Sequence, residues 1–355
     1  MGAATDTGAE AKTAVVLLNL GGPDSAAAIR PFLKNFFMDP LIVRLPAPVR
    51  WLLSELISRK RSRAEAGVSY GHLGGASPLL ANTQAQARAL QEQLGPGHRV
   101  FACMRYWHPM AGEVVREIGQ WGASRIVLLP LYPQYSTTTT LSSFRAFRAE
   151  AEKQDLRAAV SGVCCYPLLD GFIAESARRV RAAYDTAQKE TGRAPRLLFS
   201  AHGLPESIVR AGDPYQWQCE RSAEAIARAA GLEGADWRVC YQSRVGRQKW
   251  IGPSTADELR RAAADKKPLV IYPHAFVSEH VETLVEIDIE YRRLAAALGV
   301  PGFFKVDTVG ADAAFIGGLA ALVRAHGAGG IKPEQGARLC PENFGGCCQD
   351  AFACL

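Results

Sequence analysis

Two stretches of the chain carry residue types that packing alone does not require. SAHGLP sets His202 directly behind an apolar run, and FVSEHVETLVEIDIEY sets Glu279, His280, Glu282, Glu286 and Glu290 behind another. An imidazole titrates near neutrality, so it can take or give a proton at cellular pH. Paired with a carboxylate, it can equally hold a divalent first-row metal through nitrogen and oxygen. If the second stretch is helical, Glu279, Glu282, Glu286 and Glu290 share one face. Such a stripe repels itself unless it is solvated or faces positive charge. A third stretch, CPENFGGCCQDAFACL, ends the chain with Cys340, Cys347, Cys348 and Cys354. Its cysteine density is far above ordinary composition and points to a metal site.

The elements that must position these groups are legible as alternating patterns. TAVVLLNLGGP, RVFACMRYWHP, SRIVLLPLYPQYS, PRLLFSAHGLP and PLVIYPHAF are short apolar runs ending in Gly, Pro or polar residues. Each reads as a strand buried on both faces. ANTQAQARALQEQLG and DGFIAESARRVRAAYDTAQKETG read as amphipathic helices, the second running from Asp170 to a stop at Gly192. Strand and helix in alternation predict an α/β fold with parallel sheets covered by helices. In such sheets ligands bind beyond the carboxyl ends of the strands, which is where His202 and the acidic stretch fall.

Composition narrows the class further. With 355 residues the chain predicts two domains, and 48% hydrophobic with 21% charged residues is ordinary for a globular protein. A net charge of +6 is too mild to indicate a nucleic-acid partner. No run approaches the length of a membrane span, and the opening MGAATDTGAEAKT reads as a flexible lead-in without a targeting signal, so a cytoplasmic protein is expected. There is no GxGxxG, GxxxxGK[ST] or GxSxG, which argues against dinucleotide, phosphate-loop and serine-hydrolase chemistry. Nothing in the sequence fixes an oligomeric state.

Seven motifs in register, LLNLGGP, YGHLGGASPL, MRYWHP, PLYPQYSTTTT, FSAHGLP, YQSRVGRQKWIGP and AFVSEHVETLVEIDIEY, resemble those of the ferrochelatases over about residues 13–326. The resemblance implies two Rossmann-like domains flanking a porphyrin cleft. Their expected extents are 13–165, with a cleft lip at about 41–80, and 166–330, between a flexible 1–12 and a cysteine-rich tail at 331–355. It implies insertion of Fe(II) into protoporphyrin IX. His202 and Glu282 would be the catalytic pair and contacts of the substrate iron, and His280 and Glu286 would continue the acidic track. Tyr70, Ser77, Arg105, Tyr106, Tyr132 and Trp250 would bind porphyrin. The lip segment LIVRLPAPVRWLLSELISRKRSR mixes apolar and basic residues, which suits a macrocycle with propionates, an anionic membrane surface, or an ordinary amphipathic helix. A coproporphyrin or other tetrapyrrole chelatase, and a haem or metal carrier without turnover, are the alternatives.

Many ferrochelatases carry a [2Fe–2S] cluster on a C-terminal extension, with one ligand from the body of the chain. In the animal enzymes that ligand lies where Thr137 stands here, so GVCCYP is the expected donor. The resemblance favours Cys165 with Cys340, Cys347 and Cys348, with Cys354 and Cys164 as alternates and zinc as the rival metal. Cys103, Cys219 and Cys240 read as core residues. His274, in YPHAF, reads as a solvent-facing or hydrogen-bonded strand-end histidine rather than an extra ligand.

Overall fold

The five predicted strand runs all form strands, because each is apolar and β-branched enough to be enclosed on both faces. In the computed structural model, which describes residues 12–68, 70–243, 248–326 and 330–349, they become β1 (Thr13–Asn19), β2 (His98–Met104), β3 (Arg125–Pro130), β5 (Arg196–His202) and β7 (Leu269–Tyr272). Four further strands join them: β4 (Ala159–Val163), β6 (Trp237–Gln242), β8 (Phe303–Lys305) and β9 (Gly330–Lys332). The first sheet has the order β2-β1-β3-β4-β9 and the second β6-β5-β7-β8. Every pairing is parallel. The α/β reading with two parallel sheets holds.

The two sheets share one apolar core. Val15, Leu17 and Leu129 of the first half cluster with Leu197, Phe199, Tyr272 and Phe315 of the second. The Ala313–His326 helix lies late in the chain but packs on both the Leu79–Leu94 and the Asp170–Thr191 helices. The chain then returns to the first sheet, where β9 pairs with β4. The expected boundary at 330/331 therefore falls inside a strand of the first sheet.

Two strand ends continue into widened helical turns with i→i+5 bonding, Thr137–Leu141 after β3 and Glu282–Tyr291 after β7. Such turns recur at functional sites. Residues 1–11 of the expected lead-in 1–12, and residues 350–355 of the tail with Cys354, lie outside the described residues.

Candidate functional site

His202 is the last residue of β5, and β7 is the neighbouring strand in the same sheet. Strand β5 is anchored at its start by Arg196, almost fully buried, whose guanidinium pairs with Asp236 and Asp265 at 2.9 and 2.7 Å. At its far end His202 Nδ1 lies 2.8 Å from Glu282 Oε2, the first residue of the widened turn after β7. Eighty positions of sequence separate the two residues, so only the pairing of β5 with β7 brings them together.

Burial alone would lower the His202 pKa. The Glu282 carboxylate, with Glu286 behind it, outweighs that effect and raises it. Glu282 is desolvated too, yet His202 and His280 beside it hold its carboxyl at about 2. Glu286 moves the other way, raised by burial and by the charge of Glu282. Its oxygens accept hydrogen bonds from the Ser243 amide at 2.8 Å, the Ser243 hydroxyl and the Tyr291 hydroxyl at 2.9 Å. Two carboxylates with pKa values pushed apart can divide the roles of acid and base between them. His280 is buried, and desolvation lowers its pKa.

The acidic stripe is shorter than the sequence suggests. Glu279 precedes the helical turn and pairs with Lys305 Nζ at 3.0 Å and the Thr308 amide at 2.8 Å. Glu290 is exposed. The widened turns replace regular helical spacing, and Glu282 and Glu286 are the two that remain with His202.

This acidic segment is clamped from the first half of the chain. Gln86, 1% exposed on the Leu79–Leu94 helix, donates to the carbonyls of Val277 at 3.1 Å and Gly310 at 2.9 Å. Its oxygen accepts from the Ser278 hydroxyl at 3.0 Å, and Asn82 one turn earlier donates to the Glu279 carbonyl at 2.8 Å.

The expected porphyrin residues divide. Arg105 does not present a free guanidinium: it donates to Asp39 Oδ2 and to the Ser142 hydroxyl, at 2.8 and 2.7 Å. Tyr106 is 0% exposed, with its hydroxyl donated to the same Asp39 oxygen at 2.8 Å. In this structure it backs the site and offers no face to a macrocycle. Asp39 also accepts from the Leu41 amide and the Ser142 hydroxyl, and so ties the start of the lip to the end of β2. Tyr70 is buried against Phe32 and Tyr106, whereas Ser77, Tyr132 and Trp250 are partly exposed. A hollow of about 600 Å³ lined by Thr186, Glu190, Arg292 and Phe303 lies elsewhere and holds none of the candidate residues.

Most of the segment expected as the lip forms the Ala47–Val68 helix. Val49, Trp51, Leu52 and Leu56 are each more than half exposed. Arg59 and Lys60 on the same helix are exposed as well. Among the described residues no helix is long and apolar enough to cross a membrane.

His274 is fully buried and donates its Nε2–H to the Cys219 carbonyl at 3.1 Å, with its pKa lowered to about 4 by desolvation. It is a hydrogen-bonded core histidine packed edge-on against Phe199. Cys103, Cys219 and Cys240 are core residues, as expected.

A second centre lies at the end of β4. Pairing of β9 with β4 carries the tail there: the Cys164 amide donates to the Lys332 carbonyl, and the Glu334 amide to the Cys165 carbonyl. Cys164, Cys165, Cys340, Cys347 and Cys348 then bury in one cluster. The sulfurs of Cys164, Cys165 and Cys348 lie within 4.8 Å of one another. Cys164 and Cys348 are joined as a disulfide, so the residue expected as an alternate is central to the pocket. Cys340 and Cys347 are free thiols that share a hydrogen bond, which together with burial pushes the Cys340 thiol up, and burial likewise raises Cys165. The amide and hydroxyl of Thr137 donate to the buried Asp213, both at 2.7 Å.

Asp39, Gln86, Asp213 and Gln218 escaped the sequence reading. A glutamine or aspartate in an amphipathic stretch reads as solvated until its partners are known.

Fold and site define an α/β protein of two parallel sheets with a histidine–carboxylate pair at adjoining strand ends. SirB from Bacillus subtilis with Fe3+ has the same fold, with a TM-score of 0.50 at 13% identity, covering 89% of this chain and 96% of that chain. A ferrochelatase of Hyphomonas neptunium is 47% identical over 350 residues, covering 95% of each chain. One of Phenylobacterium zucineum is 49% identical over 346 residues, covering 95% of this chain and 97% of its own. The ferrochelatase family profile matches residues 12–327. The chain belongs to the ferrochelatase family.

Proposed function

We propose that the chain inserts Fe(II) into protoporphyrin IX, releasing two protons and forming protohaem, the last step of haem synthesis. The observation that carries this reading is the 2.8 Å pairing of His202 with Glu282 in a chain of this family. Two pyrrole N–H protons must leave as the iron enters. Glu282 occupies the Nδ1 edge of His202, which leaves Nε2 as the nitrogen for substrate. Glu282 and Glu286, with pKa values on opposite sides of the ordinary one, pass the proton outward or meet the incoming dication. Ser77, Tyr132 and Trp250 line the macrocycle, and Arg105 and Tyr70 shape the wall behind them.

The five-cysteine pocket fits a [2Fe–2S] cluster by its donor chemistry: buried sulfurs, more than the four such a cluster needs. Cys165, Cys340, Cys347 and Cys348 are its ligands in this reading, and the Cys164–Cys348 disulfide is the metal-free alternative that the spare thiol permits. When bound, the cluster supplies a one-electron couple and a covalent tie from tail to body. The exposed apolar side of the lip, beside Arg59 and Lys60, is read as a peripheral contact for an anionic membrane from which porphyrin partitions.

An anaerobic assay of the purified chain with Fe(II) and either protoporphyrin or coproporphyrin, followed across the visible range, tests the whole reading. Haem bands with protoporphyrin support it. Turnover confined to coproporphyrin overturns the substrate, and tight porphyrin binding without turnover moves the chain to the carriers. Absorption before substrate distinguishes an iron–sulfur pocket from a colourless zinc one.

A further inference from the structure

Gln218 lies in the first turn of the Tyr215–Ala229 helix and is 0% exposed. A fully buried amide must find partners at both ends, or leave a polar group unsatisfied. Its Oε1 accepts from the Tyr135 backbone amide at 2.7 Å. Its Nε2 donates to Cys340 Sγ at 3.0 Å. The orientation is not interchangeable. A backbone N–H can only donate, so the atom facing Tyr135 is the oxygen, and the NH2 group must face the sulfur.

Trp217, the preceding residue, packs on Phe344 of the tail with ring centroids 6.3 Å apart. The first turn of the helix thus grips the tail by an aromatic contact outside and an N–H···S bond inside. The other end of the amide holds Tyr135, in the loop between β3 and the Thr137–Leu141 turn that also carries Tyr132.

We propose that Gln218 is the positioning residue that joins the cysteine pocket to the porphyrin-side loop and raises the reduction potential of the cluster there. This rests on the iron–sulfur reading of the pocket. Donated N–H bonds stabilise sulfur as negative charge accumulates, so they favour the reduced cluster, and partners of this outer kind tune a metal site. The same amide fixes the backbone at Tyr135, so a change at the pocket is transmitted to the loop through one side chain.

Two substitutions separate the two bonds. Gln218→Glu keeps an acceptor for the Tyr135 amide and removes the donor to sulfur; Gln218→Leu removes both. The readout is the midpoint potential of the full-length protein, followed by electron paramagnetic resonance during an anaerobic redox titration, with folding checked by thermal melting. The expected result is a lower midpoint in both variants, and lower in the Glu variant, whose charge opposes the electron. Loss of the cluster from a folded Glu variant, with an unchanged midpoint in the Leu variant, overturns the claim on the potential. A loaded cluster with an unchanged midpoint in both variants overturns it, while leaving the iron–sulfur reading intact. A wild-type protein with zinc and no iron–sulfur signal overturns that reading and this proposal with it.

Discussion

The His202–Glu282 centre and the cysteine pocket are assembled by different means. The first sits at the ends of neighbouring strands of one sheet, and its two residues are placed by strand pairing. The second is closed by a returning tail, with 184 positions between Cys164 and Cys348, and is held by β9, Gln218 and the Trp217–Phe344 contact. The first centre can be changed without unfolding much of the chain, because the scaffold beneath it is intact. The second is part of what keeps the tail attached.

The sharpest way to break that contrast is to remove one group from each centre. His202→Ala should lower the rate of haem formation by about 10²–10⁴-fold, the usual worth of a positioned proton acceptor, with porphyrin affinity and melting temperature almost unchanged. Insertion near the wild-type rate would show that His202 is not the base. Cys347→Ser should do the reverse. Iron–sulfur absorption disappears and melting falls by about 5 °C or more, since metal binding contributes folding free energy. A variant with unchanged melting and full absorption would remove Cys347 from the ligand set.

The next test falls on the clamp between the two halves. Gln86→Leu leaves the Val277 and Gly310 carbonyls without their buried donor, a cost of about 1–3 kcal/mol in denaturant unfolding. Because the loosened segment carries Glu282, kcat should fall more than porphyrin affinity. Equal losses in both would make Gln86 a general stabiliser.

The pH dependence of the first centre sharpens the comparison by a smaller amount. The His202 pKa is raised, so its pairing with Glu282 stabilises the fold fully below the ordinary imidazole value of about 6.5 and is lost as pH rises through the raised value. Glu282 is lowered to about 2, so its share is lost only as pH falls from 4.5 toward that value. Ring-proton NMR of the metal-free chain should show His202 titrating at lower pH in Glu282→Gln. An unchanged midpoint would mean that Glu282 does not set it. The smallest stability effect is expected at the lip, where Leu52→Glu should alter stability by less than about 0.5 kcal/mol while reducing retention on anionic vesicles. Unchanged retention would take the lip out of membrane contact.

Legibility in the sequence followed burial. Runs such as TAVVLLN and RLLFSAH need enclosure on both faces, so their strand character was visible without any partner. Strands β8 and β9 are three residues each and exist because longer neighbours template them, and the sequence carried no signal for them. The acidic stripe was misread over Glu279 and Glu290 because regular helical spacing was assumed, while the segment opens after Glu279 and winds with wider turns. Arg105 was expected among the porphyrin-binding residues, and only the fold shows that it is already paired with Asp39.

Residue chemistry and alternation were therefore determined by the sequence itself: a parallel α/β scaffold, a histidine at one strand end, carboxylates behind another, and a cysteine-rich terminus. These depend on side-chain type and local period, which need no partner to be read. Tertiary structure alone decided which histidine meets which carboxylate, that Cys164 joins the pocket, and that Gln86 and Gln218 serve both ends of their amides. Each of those is a pairing between residues far apart in the chain, fixed by sheet order and by the requirement that buried polar groups be satisfied.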